Sequence, residues 1–144
     1  MTSTVGEILA DKGGDVIRIG ADATVFEAVK AMVEANVGAL LVTEEDAIVG
    51  IFTERDYLRR IAVEGRRSRD TAVGEVMSAP VICVTPDTGV EESMALMTDR
   101  RIRHAPVTEG GTLVGMVSIG DLVKFQTQQQ SFEIKYLKDY ITAR

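Results

Sequence analysis

Short apolar runs and amphipathic stretches alternate along the chain, in an order that occurs twice. VIRI (16–19) is an apolar run bounded by turn residues and predicts a strand. ATVFEAVKAMVEA follows, with Thr24 able to cap a helix and Val25, Ala28, Val29, Met32 and Val33 on one face. ALLVT (39–43) predicts a second strand, EEDA a tight hairpin turn, IVGIFT the return strand, and DYLRRIAV the start of a closing helix. VICV (81–84) begins the order again as a buried strand. Val90, Met94 and Met97 mark its helix, and APVT (105–108), EGGT, LVGMVS and DLVKF complete it. After Phe125 the pattern stops. QTQQQ reads as a polar connector, and SFEIKYLKDYITAR as a C-terminal helix with Phe132, Tyr136, Leu137, Tyr140 and Ile141 at helical spacing. That helix needs a surface; its own domain and a second subunit are both open, while a polar face that is not strongly basic disfavours a membrane.

A shift of 65 residues aligns the sequence with itself without gaps from about residue 18 to 60. Met32 meets Met97, Val42-Thr43-Glu44 meets Val107-Thr108-Glu109, and Asp56 meets Asp121. Upstream, VGEIL (5–9) matches VGEVM (73–77) at a shift of 68. Such a repeat governs the reading of the whole fold. The expected organisation is a first unit at 1–65, a charged linker at 66–72, a second unit at 73–125, and the connector and helix at 126–144. A unit of roughly 60 residues is marginal alone. Two copies packed through their apolar helix faces would bury both, so the repeat has a structural purpose with or without a ligand.

GIFTERD (50–56) and GMVSIGD (115–121) fall where a predicted strand meets a predicted helix. Thr53 and Asp56, like Ser118 and Asp121, have capping-box spacing, which satisfies free amides of the first helical turn. The same geometry suits a ligand, since a carboxylate so placed can accept hydrogen bonds from the vicinal hydroxyls of a ribose. The two readings are compatible.

Composition narrows the chemistry. The chain has 144 residues, 45% hydrophobic and 26% charged, as an ordinary globular protein does. A net charge of −6 disfavours nucleic acid as a partner. Basic residues nevertheless cluster at Arg55, Arg59, Arg60, Arg66, Arg67 and Arg69, and at Arg100, Arg101 and Arg103, where a small polyphosphate could be met. The single cysteine, Cys83, allows no intramolecular disulfide and suits a reducing compartment; in VICV it reads as a small buried hydrophobe. No run approaches a membrane span, and the N-terminus lacks the pattern of a signal peptide, so a cytoplasmic protein is expected. One His and one Cys make no zinc site, and no nucleophile–base pair or phosphate-cradling Gly-rich loop is recognisable, so an enzyme is disfavoured.

VGEVM, then DTGVEESMALMTDRRIRHAPVTEGGTLVGMVSIGDLV and its earlier copy ADATVFEAVKAMVEANVGALLVTEEDAIVGIFTERDYL, together resemble a tandem pair of CBS domains, or Bateman module, over residues 4–125. The resemblance implies an α+β fold: two β-α-β-β-α units packed as a pseudo-twofold disc with two clefts between the copies, dimerising through helices. It implies a regulatory role, energy sensing among the possibilities, exercised by binding AMP, ADP, ATP or S-adenosylmethionine, with no required cofactor and no catalysis. One cleft would use Thr53 and Asp56 for the ribose, Val81, Ile82 and Cys83 around the base, and Arg103 with His104 at the phosphates. The other would use Ser118 and Asp121, with Val16 and Ile17 beside the base and Gly38 and Ala39 in place of the Arg–His pair; Arg55 is a candidate cation there. Leu41 departs from the pattern, which has proline at the matching Pro106. The implied partners are an adenosyl small molecule, a second copy of the chain, and an unidentified regulated protein. The alternative is a ligand-free dimerisation or interaction module in which both motifs are only helix caps.

Overall fold

The computed structural model describes residues 3–129. They form two compact units: Asp15–Ile82, and the residues up to Gly14 together with those from Cys83 onward. The elements are α1 (Val5–Lys12), β1 (Arg18–Gly20), α2 (Val25–Ala35), β2 (Ala39–Glu44), β3 (Ala47–Thr53), α3 (Glu54–Tyr57), α4 (Val73–Val76), α5 (Val90–Arg100), β4 (His104–Glu109) and β5 (Thr112–Ser118). A final helix, α6, covers 119–129 and runs on through the first glutamines. The helix predicted from Ser131 lies outside the described residues.

In the unit Asp15–Ile82, β1 pairs parallel with β2, and β2 antiparallel with β3. The β2–β3 turn is two residues long. Glu45 and Asp46 both adopt positive φ, the backbone that a tight hairpin with right-handed strand twist requires. Thr24 caps α2 through a full capping box with Glu27. Val25, Ala28 and Met32 then face the sheet and join Leu40, Val42, Phe52, Ile61, Val73 and Val76 in one core. Val33, expected on the same face, is 73% exposed. At roughly 100° per residue it lies about a quarter-turn beyond the buried stripe, on the helix flank. α3 continues as a π-helical turn, Leu58–Ala62, which buries Ile61 and leaves Leu58 in solvent.

In the other unit β4 and β5 form a two-stranded antiparallel sheet, joined by Gly110-Gly111 at positive φ. Its core comprises Val5, Ile8, Val84, Val90, Met97, Ala105, Val107, Val117 and Leu122. Packing thus exchanges the leader helices. α1, which precedes the first repeat, packs with the second repeat's sheet, while α4 packs with the first repeat's sheet.

VICV does not form the expected strand. Only Val84 pairs, in a single parallel bridge to Val107. In the first repeat Leu41 N–H donates to Ile17 O at 3.0 Å and Ala21 N–H to Thr43 O at 2.9 Å. The matching positions, 106 and 86, are prolines, which have no N–H to donate. The ladder therefore shrinks to the two bonds at Val84, from its N–H to Pro106 O and from Thr108 N–H to its carbonyl. Cys83 is exposed rather than buried. Its neighbour Val84 takes the inward position, and in extended chain the next side chain points the other way. Desolvation of part of the side chain still pushes the Cys83 thiol pKa up, which disfavours the reactive thiolate.

Candidate functional site

Each Thr/Ser-x-x-Asp segment lies at a strand-to-helix junction within its own unit. β3 ends at Thr53 in extended conformation, and the chain turns directly into α3. Thr53 Oγ accepts from Asp56 N–H at 3.2 Å, while Asp56 Oδ2 accepts from Thr53 N–H at 3.0 Å and from the Thr53 hydroxyl at 3.1 Å. Asp56 Oδ1 accepts from the Ser78 hydroxyl at 2.8 Å. Ser78 is held there because its backbone exchanges hydrogen bonds with Ile51 on β3. All these donors are uncharged, and Asp56 is only 8% exposed. Gly38 and Ala39 belong to the same corner: Gly38 O accepts from Glu54 N–H, and Ala39 stands opposite Thr53 in the β2–β3 register.

The second corner repeats the cap but changes its anchor. Ser118 Oγ accepts from Asp121 N–H at 3.0 Å, and Asp121 Oδ2 accepts from Ser118 N–H at 2.8 Å. Lys12 Nζ, at the end of α1, donates to Asp121 Oδ2 at 2.6 Å and to Met116 O at 2.9 Å. Positions 51 and 116 are equivalent in the repeat, as are 56 and 121. One ammonium therefore meets the carbonyl that the Ser78 N–H meets in the other unit, and it reaches the motif carboxylate through Oδ2, the oxygen that also takes the cap N–H, whereas the Ser78 hydroxyl uses Oδ1. Burial alone would raise the Asp121 pKa; the Lys12 hydrogen bond, the Ser118 amide and the Lys12 charge outweigh it and hold the carboxyl below its usual range. His104 stands opposite Ser118 and is half-buried, and Arg103 is exposed while its carbonyl accepts from Ile119 N–H at 2.8 Å.

Both motifs are thus capping boxes. Within one unit the structure brings Thr53 and Asp56 together with Gly38 and Ala39, and within the other it brings Ser118 and Asp121 together with Arg103 and His104. Val16 and Ile17 are half-buried ahead of β1, Val81 and Ile82 are half-buried ahead of the Val84 bridge, and Arg55 is exposed on α3. Lys12 and Ser78 are the residues that sequence reasoning passed over. Lys12 is 109 positions from Asp121, so no local spacing betrays it. The one signal was that each follows a VGE-type leader whose packing partner the repeat does not name.

Comparison with known proteins agrees with this architecture. The CBS domain family model matches residues 5–63 and 73–127. The CBS domain-containing protein CBSX3, mitochondrial, of Arabidopsis thaliana is 44% identical over 97% of this chain and 72% of its own length. The CBS domain-containing protein YhcV of Bacillus subtilis is 34% identical over 81% of this chain and 82% of its own. Among solved structures, a CBS-domain protein from Burkholderia ambifaria superposes with a TM-score of 0.85 at 45% identity, covering 89% of this chain and 96% of its own. The hexameric CBS-CP12 protein of bloom-forming cyanobacteria gives a TM-score of 0.78 at 35% identity, covering 85% and 71%. Two family matches on an internally repeated α+β chain, with relatives of similar architecture, establish that this protein belongs to the CBS domain family and carries a tandem pair of CBS domains.

Proposed function

We propose that the chain is a non-catalytic regulatory module that binds an adenosyl ligand, AMP, ADP, ATP or S-adenosylmethionine, at its Thr/Ser-x-x-Asp segments. Occupancy is passed on through the arrangement of a dimer or of a regulated partner. The observation that carries this reading is the pair of carboxylates at matching strand-to-helix junctions, each beside a hydroxyl residue, in a chain of the CBS domain family. A carboxylate there can exchange its internal donors for the two hydroxyls of a ribose, a swap of hydrogen bonds that costs little net energy. Arg55 and Arg103 are exposed cations that can serve a phosphorylated ligand. A ligand can shift an assembly equilibrium only by its difference in affinity between the states. The single cysteine is consistent with the reducing setting of a cytoplasmic protein, and among the described residues no helix is long and apolar enough to cross a membrane.

A second reading, a ligand-free interaction module, draws on a different observation. Phe26, Val33 and Val37 lie exposed along α2 and just beyond its end, and Leu58 and Val63 are exposed in the same unit. A thermal-shift screen against AMP, ADP, ATP, S-adenosylmethionine, NAD and GTP separates the two. A ligand at about 100 times its dissociation constant adds about 2.7 kcal/mol per site, a rise of about 5–10 °C for a chain of this size. A rise with adenosyl ligands but not with GTP supports the sensor. No rise with any of them favours the interaction module, and turnover of a ligand abolished by a motif substitution would revive an enzyme.

A further inference from the structure

The two motif carboxylates have the same cap and different anchors. Asp56 has both oxygens engaged by uncharged groups, the Ser78 hydroxyl on Oδ1 and Thr53 on Oδ2. Asp121 has Oδ2 engaged by Ser118 N–H and by the Lys12 ammonium. Lys12 is fixed from two sides, since Nζ also reaches Met116 O on β5. The backbone behind it is closely fitted to the same strand: a Cβ on Gly14 would stand 2.5 Å from Val114 O, and one on Gly115 would stand 2.8 Å from a Leu9 methyl. The backbone around Lys12 is therefore fitted to β5, while its side chain, 41% exposed, crosses the surface to the carboxylate.

We infer that Lys12 decides which of the two motifs is filled: its ammonium holds Asp121 Oδ2, one of the two oxygens that a ribose diol would use, so an adenosyl ligand at Ser118/Asp121 competes with the chain's own Lys12 for that oxygen, whereas one at Thr53/Asp56 competes only with uncharged donors. This rests on the reading that the motif carboxylates receive ribose. A hydrogen bond between two charged groups is stronger than one from a hydroxyl, and a neutral diol supplies no charge to replace the ammonium. The protein thus has one readily filled motif and one that opens when the Lys12 contact is lost. Such loss can follow from neutralisation of the lysine or from movement of α1.

The test follows the two carboxylates separately. Protein labelled with 13C at the aspartate carboxyl carbons is titrated with adenosine, an uncharged ligand that retains the ribose diol, and the Asp56 and Asp121 resonances are read by NMR. In K12M, and in K12Q as a second variant with a polar head, adenosine should shift the Asp121 resonance at a concentration about two- to fivefold lower than in the unaltered chain. K12R should behave as the unaltered chain. Higher salt screens an exposed ion pair, so in the unaltered chain it should strengthen adenosine binding at Asp121, a trend that general charge attraction does not produce for a neutral ligand. An Asp121 response identical with and without Lys12 overturns the inference. If Asp56 responds in that case, the adenosyl reading survives alone; if neither carboxylate responds in any of the proteins, both fall.

Discussion

Replacing Asp56 with alanine should destabilise its unit substantially, before any ligand is considered. The carboxylate accepts three hydrogen bonds, from Thr53 N–H, the Thr53 hydroxyl and the Ser78 hydroxyl, in a position only 8% exposed. The two hydroxyls can turn toward other acceptors. The Thr53 N–H cannot, because the β2–β3 ladder and the start of α3 fix its direction. Thr53 Oγ still accepts from the backbone N–H of residue 56, but loss of the two hydroxyl bonds costs about 1 kcal/mol, and the Thr53 N–H left unsatisfied adds about 1–3 kcal/mol. The expected total is about 2–4 kcal/mol, a fall in Tm of about 10 °C for a chain of this length. Urea denaturation of D56A, S78A and the double variant measures it. S78A alone should cost about 1 kcal/mol, and the cycle should show positive coupling, because both variants remove the same bond. Amide exchange at Thr53 should accelerate in D56A and change little in S78A. A cost for D56A below about 1 kcal/mol, with Thr53 still protected, would refute the reasoning and show that the cap is held by backbone geometry alone. The result bears on ligand assays too: D56N, which keeps an acceptor, is the sounder probe of ribose binding.

Ser93 Oγ is fully buried on α5 with no hydrogen-bond partner among the described residues, and the equivalent position in the first repeat is Ala28, so S93A should gain about 1 kcal/mol in chemical denaturation; a loss would show that an unseen group satisfies the hydroxyl. Arg101 ends α5 in the left-handed region at φ 55, where the first repeat has Asn36 at φ 54, so R101G should stabilise by about 0.5–1 kcal/mol; no gain would mean that the strain is relieved by contacts of the arginine. The Asp121 pKa is lowered in the folded chain, so its contribution to stability is complete above the ordinary carboxylate value near about 4 and is lost as pH falls through the lower folded value. Acid titration of the unaltered chain should therefore lose more stability in that window than K12M does, and equal slopes would show that the ion pair contributes nothing.

The repeat and most of its elements are legible in local sequence alone. The 65-residue shift, the apolar spacing of α2 and α5, and the two hairpin turns are local signals, and local physics carries them. Both capping boxes were legible for the same reason, because a cap spans only four residues. The Leu41–Pro106 difference was visible in the sequence as well. Its consequence was not, since the loss of a strand depends on which N–H faces the neighbouring chain, and only pairing decides that. Cys83 and Val33 were misplaced on similar grounds: an apolar residue in an apolar run is buried only if its own face meets the core. Tertiary structure alone exchanged the leader helices between repeats, and with them brought Ser78 to Asp56 and Lys12 to Asp121. The repeat makes the two motifs look equivalent, but chain crossing gives one carboxylate a hydroxyl and the other an ammonium. A contact between residues a hundred positions apart is set by packing, which no local periodicity encodes.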